Sequence, residues 1–223
     1  MKYTSMEDFA RDSSKTLYDL YKMFEEAGAI ELEKLPSTHT VLVMIDMING
    51  FARSGALMSK RVEELIPEIV SLSVKCDELG ISKLAFADNH TGISPEFEAY
   101  PVHCLKDTSE AEVVDEIKNA GGYKLIPKNS TNGFLEEEFQ NWLGQNPDIN
   151  TFIVTGDCTD ICVQQFSITL KTWFNKQNRS SRIIVPINAV DTYDLGIHNG
   201  DLTNLMALYN MHINGIEIIA ALI

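Results

Sequence analysis

The sequence predicts an α/β protein: a doubly wound, mostly parallel sheet of six strands with helices on both faces. Three observations predict it. Six short runs rich in Val, Ile, Leu, Phe and Ala punctuate residues 41–222, each nearly unbroken rather than alternating, as strands covered on both faces require. Longer stretches of helical period lie between them, and strand–helix alternation leads to a parallel sheet with crossover helices. With 44% hydrophobic and 22% charged residues among 223, the chain has the apolar material for a substantial core.

Residues 1–40 come first and stand apart. Met6, Phe9, Leu17, Leu20, Tyr21 and Phe24 share one helical face, so one or two helices are expected in an amino-terminal extension, with packing on the body favoured over covering the site or building a subunit contact. The α/β domain then occupies 41–223. VLVMID (41–46) is the first strand, and a helix over Ile66–Leu79 follows, with Pro67 where a first-turn proline is tolerated. KLAFAD (83–88) is the second strand. Ser109, with Glu112 three residues on, reads as a capping box opening the next helix. YKLIPK (123–128) precedes a helix over Phe134–Leu143, and TFIVTG (151–156) precedes one over Asp160–Phe174. RIIVPI (182–187) leads to a helix over Asp201–Ile213, which Gly215 stops, and IEIIAAL (216–222) closes the sheet.

Charge and composition exclude several classes. Eighteen basic against 32 acidic residues leave a formal charge of −14, the wrong sign for binding phosphate backbones, so no nucleic-acid partner is expected. No apolar run is long enough to cross a bilayer. The opening MKYTSMEDFARD has acids where a signal peptide is apolar, so a cytoplasmic location without membrane attachment is expected. Four cysteines are too few for a disulfide scaffold of this length.

Ligands of open parallel sheets bind outside the carboxyl ends of the strands, and polar residues gather there. The first strand ends in Asp46, the second in Asp88 with His90 beyond it, the third in Lys128. The fourth runs through Gly156 into Asp157-Cys158-Thr159-Asp160 and a helix whose first turn carries Cys162. A helix start and a nearby lysine favour the thiolate of Cys162. Asp46 could take the thiol proton, with Lys128 supporting both, and backbone N–H groups of the turn could hold an oxyanion. The alternative is a buried, inert cysteine. Redox pairing of Cys158 with Cys162 does not fit the C-x-x-C spacing. Asp88, His90, Glu96 and His103 form a second group, either ligands of a metal of the zinc, iron or manganese type or a solvated loop. His39, His198 and His212 lack such company, and His198 is expected to be structural.

These residues and their flanks resemble the isochorismatase-like cysteine hydrolase superfamily, and within it the nicotinamidases and pyrazinamidases. The matching segments are VLVMIDMINGF and SGAL (41–57), the D-x-H of ADNH (87–90), YPVHC (100–104), the lysine of IPKNSTNGF (126–134) and VTGDCTDICV (154–163). The likeness starts near residue 41 and leaves out the extension. It implies an isochorismatase-like hydrolase fold, a catalytic triad of Asp46, Lys128 and Cys162, and oxyanion donors from the backbone N–H groups of Cys158 and Cys162. It also implies a cis peptide between Asp157 and Cys158, and a divalent metal, zinc before iron or manganese, on Asp88, His90, Glu96 and His103. Phe51 and Tyr100 match the aromatic residues that flank the substrate ring. The family's D-x-Q-N-D-F is here Asp46-Met47-Ile48-Asn49-Gly50-Phe51, Ile161 stands where pyrazinamidases often carry a polar residue, and Asp157 where apolar residues are common.

The expected activity is hydrolysis of a small aromatic carboxamide, nicotinamide first, to the acid and ammonia through a thioester on Cys162, a step of NAD salvage. The alternatives are an N-carbamoyl or ureide hydrolase, which needs no ring-anchoring metal, an isochorismatase-like hydrolase of another substrate, and a non-enzymatic binding module. The expected partner is the small amide substrate; a homo-oligomer is in keeping with the family.

Overall fold

The computed structural model of the protein describes residues 5–223. Its sheet is built from β1 (Thr40–Ile45), β2 (Ser82–Asp88), β3 (Tyr123–Lys128), β4 (Thr151–Gly156), β5 (Arg182–Pro186) and β6 (Glu217–Ile219). The spatial order is β3-β2-β1-β4-β5-β6, and every neighbouring pair is parallel. Chain order reverses direction beside β1, which places β1 and β4 at the centre and opens a crevice above their carboxyl ends.

Side-chain alternation along β1 divides the core in two. Leu42 and Met44 face one side, where α4 (Ile66–Leu79) lays down Ile66, Ile69, Leu72 and Cys76 and α5 (Asp115–Ala120) adds Ile117. Val41, Val43 and Ile45 face the other. There α6 (Glu137–Gln145), α7 (Gln164–Lys176) and α8 (Gly200–Ile213) contribute Phe139, Leu143, Phe166, Leu170, Phe174, Leu208 and Met211. With β1 wholly buried, its unbroken apolar run follows from having a core on each face.

The extension forms α1 (Met6–Glu25), capped by the Ser5 hydroxyl, which accepts the Asp8 N–H at 3.1 Å. Of the six residues expected on its packing face, only Leu20 and Phe24 are buried, while Met6 and Tyr21 are exposed. The chain beyond the helix is stitched to the carboxyl terminus, with Ile30 N–H donating to Ala221 O and Ile223 N–H to Ile30 O. Among the described residues no helix is long and apolar enough to cross a membrane.

Three helix boundaries differ from expectation. Ser109 opens only a 3-10 turn, Ser109–Ala111, without a side-chain cap, and the helix waits until Asp115. Val113 and Val114 explain the delay. Both are buried, Val113 bridges to Ile48, and Val114 N–H donates to Met47 O at 3.0 Å, which holds this stretch extended. Glu112 pairs with Lys118 at 2.6 Å instead of capping. Helix α6 starts at Glu137 because Phe134 sits in a separate 3-10 turn, packed on Phe139 and Trp173. The segment before α7 is a π turn, Thr159–Val163. Strand β6 is shorter than its apolar run. Two short helices, α2 (Asn49–Ala52) and α3 (Lys60–Glu63), precede α4 and lacked a periodic signal.

Candidate active site

Strand ends deliver the site. Asp46 follows β1 with a φ of 55°, its N–H donating to Phe86 O and its Oδ1 accepting the Asp88 N–H, both at 3.0 Å. Asp88 ends β2 and lies in register with Lys128, which ends β3. Gly156 ends β4 in the left-handed region (φ 107°), where any Cβ would collide with the Ile45 carbonyl, so β1 and β4 close tightly beneath the crevice.

The ammonium of Lys128 is the hub. It lies 2.8 Å from Asp46 Oδ2, hydrogen-bonds Asp88 Oδ1, donates to Ser130 O at 3.2 Å and sits 3.7 Å from Cys162 Sγ. Its side chain and that of Asp46 are fully buried. One oxygen each of Asp46 and Asp88 and the Cys162 sulfur lie within 4.8 Å of one another. Such an anionic trio could attract a metal, but the lysine already supplies its cation. The structure thus brings Asp46, Lys128 and Cys162 together.

Electrostatics divide the roles. Burial pushes the Asp46 carboxyl up to about 7 against the pull of Lys128. Burial also pushes Asp88 up, yet Lys128 and His90 outweigh it and hold that carboxyl below its ordinary value. Lys128 stays protonated, because the two carboxylates outweigh its desolvation. The Cys162 thiol is pushed well above its usual value by burial, which Lys128 only partly offsets. The helix start and the lysine act in the opposite direction, towards the thiolate, and Asp46 lies beside the sulfur as a group able to accept its proton.

The turn holding Cys162 begins with a cis peptide between Asp157 and Cys158. Cys158 O accepts N–H bonds from Ile161 and Val163, both at 3.1 Å, which winds the turn tightly. Asp157 is fully buried; its Oδ2 accepts from the Cys158 thiol at 3.6 Å and its Oδ1 has no partner. Burial raises this carboxyl well above its ordinary value, with Asp46 adding to the effect. A buried polar atom left unpaired costs about 1–3 kcal/mol. Asp157→Val is therefore expected to raise Tm by about 2–4 °C for each kcal/mol recovered, read by thermal denaturation. An unchanged or lower Tm would show that the carboxyl is satisfied after all.

Asp88, His90, Glu96 and His103 converge beside the lysine, each offering one ligand atom within 4.8 Å of the others. Two features fit a metal. His90 is fully buried and neither ring nitrogen has a hydrogen-bond partner, although Nε2 faces Asp88 Oδ1 at 3.4 Å and Glu96 Oε1 at 3.8 Å. Nδ1 of His103 meets Pro101 O at 2.8 Å and must donate to it, which turns Nε2 towards Asp88 Oδ2 at 3.8 Å. Orienting a ligating imidazole through its other nitrogen is a common support for metal ligation. Buried carboxylates and imidazoles lacking partners suit a divalent cation.

The cleft above these groups is lined by Cys162, Asp88, Glu96 and His103 and walled by Phe51, Tyr100, Leu57, Ile161 and Tyr193. Phe51 and Tyr100 pack their rings on His103 at 5.7 and 6.1 Å. Gly50, one of the departures from the family pattern, has a packing reason: a Cβ there would collide with Cys104 Sγ. Sequence reasoning missed Leu57 and Tyr193. The strand-end rule, extended to the loop after β5, would have flagged Tyr193. His198 is structural in its contacts, stacking on Tyr193 and bonding Asp160.

Comparison with known proteins bears on the fold and the family. The isochorismatase domain profile matches residues 40–213. Nicotinamidase 1 of Arabidopsis thaliana is 32% identical over 178 residues, covering 72% of this chain and 70% of that protein. Among solved structures, N-carbamoylsarcosine amidase from Thermoplasma acidophilum superposes with a TM-score of 0.67 at 24% identity, over 80% of this chain and 94% of that one. Pyrazinamidase of Pyrococcus horikoshii in complex with zinc gives 0.66 at 22% identity, over 81% and 98%. At these identities the two structures speak to the fold.

Proposed function

The chain belongs to the isochorismatase domain family, and from that premise we propose that it is a cysteine-dependent amidase of small aromatic carboxamides, with nicotinamide the best candidate. One observation carries the reading: a single ammonium, that of Lys128, contacts Asp46 at 2.8 Å and Cys162 Sγ at 3.7 Å on the floor of an aromatic-walled cleft.

Asp46 takes the Cys162 proton as the sulfur attacks the amide carbonyl carbon. Lys128 holds the carboxylate against the sulfur and offsets the charge that develops there. The backbone N–H groups of Cys158 and Cys162 receive the oxyanion. When the tetrahedral intermediate collapses, the C–N bond breaks and the proton on Asp46 passes to the departing nitrogen, which leaves as ammonia. Asp46 then takes one proton from water as the water oxygen attacks the thioester; the C–S bond breaks, Asp46 returns that proton to the Cys162 sulfur, and the acid leaves, giving its own proton to solvent.

Asp88, His90, Glu96 and His103 would hold the divalent cation, zinc being well matched to two imidazoles and two carboxylates. When bound, it supplies a Lewis acid for a ring-nitrogen lone pair. Phe51 and Tyr100 would flank the ring, fixing the carbonyl near the sulfur, and such orientation lowers the barrier. His90→Ala is expected to weaken metal binding by more than the about 10–100-fold that loss of an outer-shell partner costs, measured as metal content after dialysis. Unchanged metal content would discredit these ligands.

The test of the reading is ammonia release by the purified protein from nicotinamide, pyrazinamide and an N-carbamoyl amine. Turnover of the first two supports it. Turnover of the carbamoyl compound alone would reassign the substrate, and release from none would overturn the amidase reading.

A further inference from the structure

Tyr193 belongs to none of the groups assigned above, yet it lines the same cleft as Cys162. It lies on the loop between β5 and α8, a place where a side chain is ordinarily free to move. Here the ring is stacked on a partner and the backbone just before it is held as well. Its ring is stacked on His198, with centroids 3.8 Å apart and planes 10° from parallel. His198 Nδ1 donates to the Tyr193 carbonyl at 3.0 Å, and Nε2 lies 3.1 Å from Asp160 Oδ2. Asp160 is part of the π turn that carries Cys162.

The Arg61 guanidinium bonds Thr192 O at 3.0 Å, Asp191 Oδ1 at 2.8 Å and Asp201 Oδ1 at 2.8 Å. Asp191 O in turn accepts the Thr159 N–H of the same π turn at 3.0 Å. The tyrosine ring is therefore referenced, through His198–Asp160 and through Asp191–Thr159, to the segment that positions the sulfur. A flat aromatic surface held in this way binds planar groups with little ordering cost.

Resting on the amidase reading, we propose that Tyr193 is a specificity-determining residue whose clamped ring selects substrates with a planar aromatic acyl group over small aliphatic amides. His198 acts through it, as a positioning residue. An aromatic contact of this kind contributes about 0.5–1.5 kcal/mol beyond area burial, or roughly 2–12-fold in affinity.

The test measures nicotinamide binding by calorimetry to the metal-loaded Cys162→Ala chain, where no turnover interferes, and compares Tyr193→Ala and Tyr193→Phe added to it. Tyr193→Ala is expected to weaken nicotinamide binding about five- to tenfold, and Tyr193→Phe by less than about twofold. His198→Ala should shift binding in the same direction by less. In the otherwise native chain, Tyr193→Ala should raise KM for nicotinamide several-fold more than it raises KM for propionamide. Equal losses on both amides, unchanged nicotinamide binding, or no binding before Tyr193 is altered would each overturn the proposal. Binding that depends on Tyr193 in a chain that releases no ammonia would retain this inference while removing the amidase reading.

Discussion

Cys162→Ala is expected to lower amide turnover by about 10⁴-fold or more, in line with the loss of other hydrolase nucleophiles, while leaving the protein folded. The sulfur is placed for nucleophilic attack: it is 6% exposed, beside an ammonium, and within 4.8 Å of a carboxylate that can take its proton. Alanine removes the sulfur without disturbing the Asp46–Lys128–Asp88 contacts, so stability and metal content should change little. Ammonia release and circular dichroism on the same sample test both halves. Retained turnover would show that water, rather than the protein, supplies the nucleophile.

Lys128→Met is expected to differ in kind, losing both activity and stability. Without the ammonium, Asp46 and Asp88 remain buried side by side with no protein cation between them. Breaking a buried charge pair by removing one partner costs about 3–5 kcal/mol. For a chain of this size that lowers Tm by about 6–20 °C. Urea unfolding of the two variants side by side separates the roles: the midpoint should hold for Cys162→Ala and fall for Lys128→Met. A midpoint that holds for both would mean that Lys128 is not the counter-charge of the two carboxylates.

Much of the fold was legible because the central strands β1 and β4 are buried on both faces, which leaves near-continuous apolar runs such as VLVMID and TFIVTG, whereas the edge strand β3 exposes Lys124 and Leu125. The strand-end rule then separates two lysines that look alike in sequence. Lys83, near the start of β2, is buried on Asp77 at 2.6 Å and Ser73 Oγ at 2.9 Å, ties β2 to α4 and lies outside the site. Lys128, at the end of β3, enters the crevice. Local signals failed where long-range contacts overrode them. The capping pattern at Ser109 lost to the burial of Val113 and Val114. Tyr193 needed the strand-end rule carried past β5, and its fixed ring needed a stacking partner, His198, that no local pattern marks.

Asp46, Asp88 and Lys128 stand on the ends of strands whose registry is fixed by the backbone ladder, whereas Phe51, Tyr100 and Tyr193 stand on the connections. The Cys162 sulfur follows neither pattern: it stands on the π turn after β4, to which Tyr193 is linked through His198 and Asp160. Substitutions at Phe51 or Tyr100 are therefore expected to retune which molecule is accepted with less displacement of the sulfur than substitutions at Tyr193 or His198.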